Sequence, residues 1–108
     1  MKIAIASQNP SKKARVDKHF GKCSHFLIHD DETGITEIME NPGKGIQDCK
    51  GDLIVKRLVE KKVRRVIAGD FGTHVQQLLN KHHIQMIIYP DDTRMVSDII
   101  ELLSLKTH

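Results

Sequence analysis

Two alternating segments joined by one turn set the first constraint on the fold. His25 to Asp30 places Phe26 and Ile28 on one side and His25, Leu27 and His29 on the other. Ile35 to Glu40 alternates likewise, Ile35, Glu37 and Met39 against Thr36, Ile38 and Glu40. A period of two is the mark of a strand. Only Asp31-Glu32-Thr33-Gly34 separates the two, so they must pair as an antiparallel hairpin. Asn41-Pro42-Gly43-Lys44-Gly45 then breaks the pattern, because proline lacks a ladder donor and glycine lacks stiffness.

The rest of the chain arranges itself around that hairpin. Lys2 to Ala6 is short, apolar and β-branched at Ile3 and Ile5, a first strand. A helix starts at Asp48 or Asp52 and runs to about Lys62, with Ile54, Val55, Leu58 and Val59 along one side. Arg65 to Ala68 reads as a fourth strand. Thr73 caps a second helix with Val75, Leu78 and Leu79 inward. Ile84 to Tyr89 is a fifth strand, ended by Pro90. Asp92 or Thr93 begins a last helix, whose Val96, Ile99, Ile100 and Leu103 fall at i, i+3, i+4 and i+7. A strand reached through a helix runs parallel to its neighbour by a right-handed crossover. The expected fold is therefore α/β: one domain over residues 1–108, with a mixed five-stranded sheet of order 3-2-1-4-5 and three flanking helices. Strand two is antiparallel, and this is the ribonuclease H-like architecture.

Composition narrows the function. The chain is 39% hydrophobic and 29% charged, the balance of a globular domain. No apolar run reaches the length of a membrane span, and Ile3 to Ala6 is too short for a signal-peptide core. A cytoplasmic location follows as the expectation, with Cys23 and Cys49 as reduced thiols. The net charge of +3 gives a mild bias toward anionic partners. With no Trp and one Tyr, surfaces for stacking bases are poorly supplied, which disfavours nucleic acid. No Walker loop, GxGxxG or G-x-S-x-G occurs. The first strand carries no carboxylate, so it offers nothing to a two-metal nuclease.

Chemistry is left to the loops at the carboxyl ends of the parallel strands, where α/β sheets bind ligands. Ser7 to Lys22 has no clean period and ends in His19-Phe20-Gly21-Lys22-Cys23. Imidazole and thiolate at this spacing could reach one soft metal; a turn with a buried Cys is the alternative. The loop holds Lys12, Lys13, Arg15, Lys18 and Lys22 against Asp17 alone, either a solvated face or an electropositive mouth for an anion. Cys49 stands where the first helix begins, which lowers a thiol pKa. His74 lies in the first turn of the second helix, whose free amides can hold an anion. Gly21, Gly69 and Gly72 permit positive φ or close approach of a ligand.

Several of these residues carry a resemblance. Val16-Asp17-Lys18-His19-Phe20-Gly21-Lys22-Cys23 with Phe26, then Glu40-Asn41-Pro42, then Val66-Ile67-Ala68-Gly69-Asp70-Phe71-Gly72 with Leu78-Leu79 and Ile84, resemble the dinitrogenase iron–molybdenum cofactor biosynthesis family. NifX-like carriers and the C-terminal domain of NifB-like proteins belong to that family. The resemblance spans nearly the whole chain and implies the same ribonuclease H-like fold. It also implies a non-catalytic role: binding an iron–sulfur or molybdenum-containing cluster, or its precursor, between donor and acceptor proteins. The chemistry of the residues and the resemblance together make His19, Cys23 and Cys49 the candidate metal ligands, with Gly21, Lys22, Gly69, Gly72 and His74 as the candidate cofactor-binding residues. The chain departs from the family pattern at Cys23, often Ala there, at Thr73-His74 in place of Pro-Asn, and at His83 in place of Gly. A basic module for nucleic acid or protein, with no metal, is the competing reading.

Overall fold

The computed structural model describes residues 1–43, 50–89 and 94–106. The elements are β1 (Lys2–Ser7), β2 (His25–Asp30), β3 (Thr36–Glu40), α1 (Lys50–Glu60), β4 (Val63–Ala68), α2 (Thr73–Lys81), β5 (Gln85–Ile88) and α3 (Val96–Lys106). The five strands form one sheet of order β3-β2-β1-β4-β5. β2 is antiparallel to both β1 and β3, whereas β4 is parallel to β1 and to β5.

Register settles which side chains meet. Ala4 and Ala6 of β1 share a face with Phe26 and Ile28 of β2 and Val66 and Ala68 of β4, and α1 and α2 cover it through Ile54, Leu58 and Leu79. Ile3, Ile5, Leu27 and Ile67 lie on the other face, beneath Val96 and Ile99 of α3. Small alanines on the first face leave room for the phenylalanines, so volume is balanced across the layer.

The boundaries differ from the sequence reading in instructive ways. β4 begins at Val63 because that residue is buried and pairs with Lys2, a contact invisible to local patterning. α2 is capped by Gly72 in extended conformation with no side-chain cap bond, so Thr73 is its first residue rather than its cap. Asp48, Asp92 and Thr93, the other proposed helix starts, lie outside the described residues. Ser7 to Lys22 is not a free loop. Isolated bridges tie Val16 to Ser7, Arg15 to Met95 and His19 to Asp70, and Ala14, Val16 and Phe20 are buried. No helix among the described residues is long and apolar enough to cross a membrane.

Candidate functional site

The segment 17–20 runs along the carboxyl end of β4 like a short extra strand. The Asp17 amide donates to the Ala6 carbonyl at 2.8 Å, Gly69 N–H to Asp17 O at 3.2 Å, Asp70 N–H to Lys18 O at 2.6 Å and Phe20 N–H to Asp70 O at 3.4 Å. Side chains of such a segment alternate. Phe20 turns inward, its ring centroid 5.4 Å from those of both Phe26 and Phe71. His19 and Asp70 turn outward to solvent.

This alternation places an imidazole at the carboxyl end of the sheet on a buried aromatic foundation. Asp70 Oδ2 lies 3.5 Å from His19 Nδ1. The backbone N–H of His19 donates to Asp17 Oδ1 at 2.9 Å. A carboxylate beside Nδ1 favours the tautomer protonated there and leaves Nε2 as the lone pair. Metal-binding histidines are commonly oriented by such an outer carboxylate.

Cys23 is near in sequence but separate in environment. Its side chain is 1% exposed and belongs to the core beneath α1 and α2. Sγ donates to the Phe20 carbonyl at 3.5 Å. Burial, then the charge of Asp17, pushes the thiol up to about 12, so it is a neutral S–H. The structure therefore does not bring Cys23 to the exposed edge that holds His19. Cys49 lies outside the described residues.

Asn41 holds this region from below. Its side chain is buried; Nδ2 donates to Cys23 O at 2.7 Å and to Gly21 O at 3.3 Å, and Oδ1 accepts from Gly43 N–H at 2.8 Å. The start of the β3 exit is thereby fastened to the turn that carries Gly21 and Lys22. Neither Gly21 nor Gly72 has an atom within 4 Å of where a Cβ would sit, and neither has positive φ. Their use is open space beside the turn rather than left-handed backbone.

A second imidazole–carboxylate pair ties the helices. His74 Nε2 lies 2.9 Å from Asp52 Oδ1, joining the first turns of α2 and α1. Gly51 permits their close approach, since a Cβ there would meet Val75 Cγ2 at 2.7 Å. Lys12, Lys13, Arg15, Lys18 and Lys22 are all exposed along the loop. Among the described residues, no group of three or more His, Cys, Asp or Glu side chains is placed to hold a metal ion. The sequence reading missed Asp70 and Asn41 as site-building residues. An acidic residue directly after Gly69, and an Asn before the Pro that ends β3, were the available signals.

These features define a class, and sequence comparison supplies the family. Residues 1–105 match the dinitrogenase iron-molybdenum cofactor family, and the chain belongs to it. The fold is similar to that of the apo form of the orange protein from Desulfovibrio gigas, with a TM-score of 0.87 at 20% identity over 98% of this chain and 88% of that one. It is also similar to a Thermotoga protein described as a NifB candidate and solved by NMR, with a TM-score of 0.81 at 25% identity over 96% of this chain and 87% of that one. No protein with a curated description matches.

Proposed function

We propose that this protein is a non-catalytic carrier that holds an anionic iron–sulfur or molybdenum-containing cluster, or its precursor, for transfer between donor and acceptor proteins. The observation that carries the reading is the outward imidazole of His19, set on the Phe20 anchor and flanked by Asp70. Family membership supports the cargo class. Imidazole suits iron and copper as well as zinc, and the exposed cations from Lys12 to Lys22 offset the negative charge of sulfide clusters.

The donor chemistry fits reversible holding. His19 Nε2 is the ligand or anchor, and Gly21, Lys22, Gly69 and Gly72 form the open ledge beside it. A neutral, buried Cys23 has no thiolate to give in this conformation, so its part is to pack the turn under His19. Cys49 is the thiol proposed to complete the binding set. His74, engaged by Asp52, fixes the neighbouring helix starts.

Anaerobic incubation with tetrathiomolybdate or preformed iron–sulfide clusters, followed by gel filtration with visible spectroscopy, tests this reading. A chromophore that comigrates with the wild type and is lost or weakened about tenfold in His19→Ala is expected. Absence of any comigrating chromophore sinks the carrier role. Retention unchanged in His19→Ala removes His19 from it.

A further inference from the structure

At the opposite end of the sheet, the structure forms a cationic cavity that the carrier reading does not use. It has a volume of about 300 Å³ and is lined by Val59, Lys62, Val63, Arg64, His82 and Ile84. Val63 and Arg64 open β4 and Ile84 precedes β5, so the cavity faces away from the carboxyl ends where His19 and Asp70 stand. Its floor is apolar and its charged wall is wholly basic. No described carboxylate pairs with Lys62, Arg64 or His82.

Helix polarity does not account for these charges. The cavity lies where α1 and α2 end, and each helix end carries about half a negative charge. Lys62 and Arg64 alone more than cancel the two. Geometry adds to this. Lys62 is held at φ 62, so the chain turns sharply beside the opening and sets Lys62 and Arg64 along one wall. The surplus positive charge over an apolar floor suits a ligand with an anionic head.

An apolar furrow continues from the same opening. A second cavity of about 250 Å³ shares Val59 and His82 with the first and runs between α1 and α2 over Val55 and Leu78, with Asp52, Lys56 and Glu60 also lining it. Val59 joins the two and is 39% exposed, an apolar side chain left uncovered at the junction. The first volume stands at the low end of small-molecule sites, about 300 to 1,000 Å³, which selects a small, single-chain ligand.

We infer that the cleft between Arg64 and Leu78 binds a single-chain anionic amphiphile, its carboxylate or similar oxyanion at Lys62 and Arg64 and its hydrocarbon over Val59 and Val55. The inference is independent of what His19 carries.

Octanoate is the probe, with acetate and 1-octanol as controls, titrated into ¹⁵N-labelled full-length protein and followed by amide chemical shifts. Saturable shifts at Val59, Lys62, Arg64 and Ile84 are expected with octanoate. Each control, lacking either the tail or the charge, binds at least tenfold more weakly. The double variant Lys62→Gln, Arg64→Gln retains the native spectrum, because both side chains are exposed, and raises the octanoate Kd about tenfold. Equal binding of octanol, unchanged binding in the double variant, or shifts confined to other surfaces would overturn the site. Sedimentation with phosphatidylglycerol vesicles that is lost in the double variant, with no response to free octanoate, would overturn it in favour of a membrane surface.

Discussion

Gly69 lies directly under the backbone of Lys18: a Cβ on Gly69 would stand 2.5 Å from Lys18 Cα and 2.8 Å from Lys18 O. The obstruction is main chain, which cannot rotate aside. Gly69→Ala must therefore push segment 17–20 off the end of β4 and break the bonds from Gly69 and Asp70. We expect a loss of about 1–3 kcal/mol in urea unfolding, the range for overpacking a tight contact. Gly21→Ala, with open space around it, should stay within about 0.5 kcal/mol. Equal effects at the two positions would refute the packing account.

His83 closes α2 with φ 58, a left-handed conformation that costs a side chain about 1–2 kcal/mol. Glycine adopts it freely but loses more entropy on folding, about 0.5–1 kcal/mol. The balance favours His83→Gly by roughly 0.5–1 kcal/mol on these figures. The urea midpoint should rise with an unchanged slope; a fall would mean that the imidazole makes a stabilising contact of its own.

The thiol of Cys23 should be chemically silent in the native state. In a Cys49→Ser background, DTNB at pH 8 should label nothing until denaturant is added, then one thiol. Because burial holds the folded pKa at about 12, above the unfolded value, the neutral form's contribution to stability is complete below about pH 8.5 and fades as pH rises toward 12. Fast stoichiometric labelling of the folded chain would contradict the burial described.

His29 gives the opposite pH sign. It is 5% exposed on β2, with Nδ1 3.0 Å from Thr36 Oγ1. Burial, then the charge of Lys12, lowers its pKa below the ordinary histidine value of about 6.5. The unfolded chain then binds the extra proton first, so stability is full above about pH 6.5 and declines as pH falls through it. His29→Gln should flatten the melting temperature between about pH 7 and 5. An unchanged slope would assign the acid sensitivity to other groups.

Much of this architecture was legible because local pattern and tertiary need agree. β2 matched residue for residue, since both of its faces are buried and its alternation separates two cores. The α3 stripe was legible for a similar reason: Val96 and Ile99 are buried, and Ile100 and Leu103 pack beside them. What escaped was set by distant partners. Segment 14–20 lacks a local period because its order comes from β1, β4 and Met95 rather than from its own side chains. For the same reason His19 could be singled out from its motif but Asp70 could not be paired with it. Cys23 was readable as ligand or as core residue, and only the packing of Phe20 and Phe26 around the turn distinguishes the two environments.

Asp70 reaches His19 only after β4 has docked beside β1, with the hairpin and α1 intervening in the chain. During synthesis, the histidine emerges long before the carboxylate that orients it. A ribosome-bound fragment ending before β4 carries a bare, unoriented imidazole on an unsupported loop. The setting of His19 thus arrives in one step, at the moment the parallel half of the sheet zips up, and belongs to the docked sheet rather than to the loop that carries the residue.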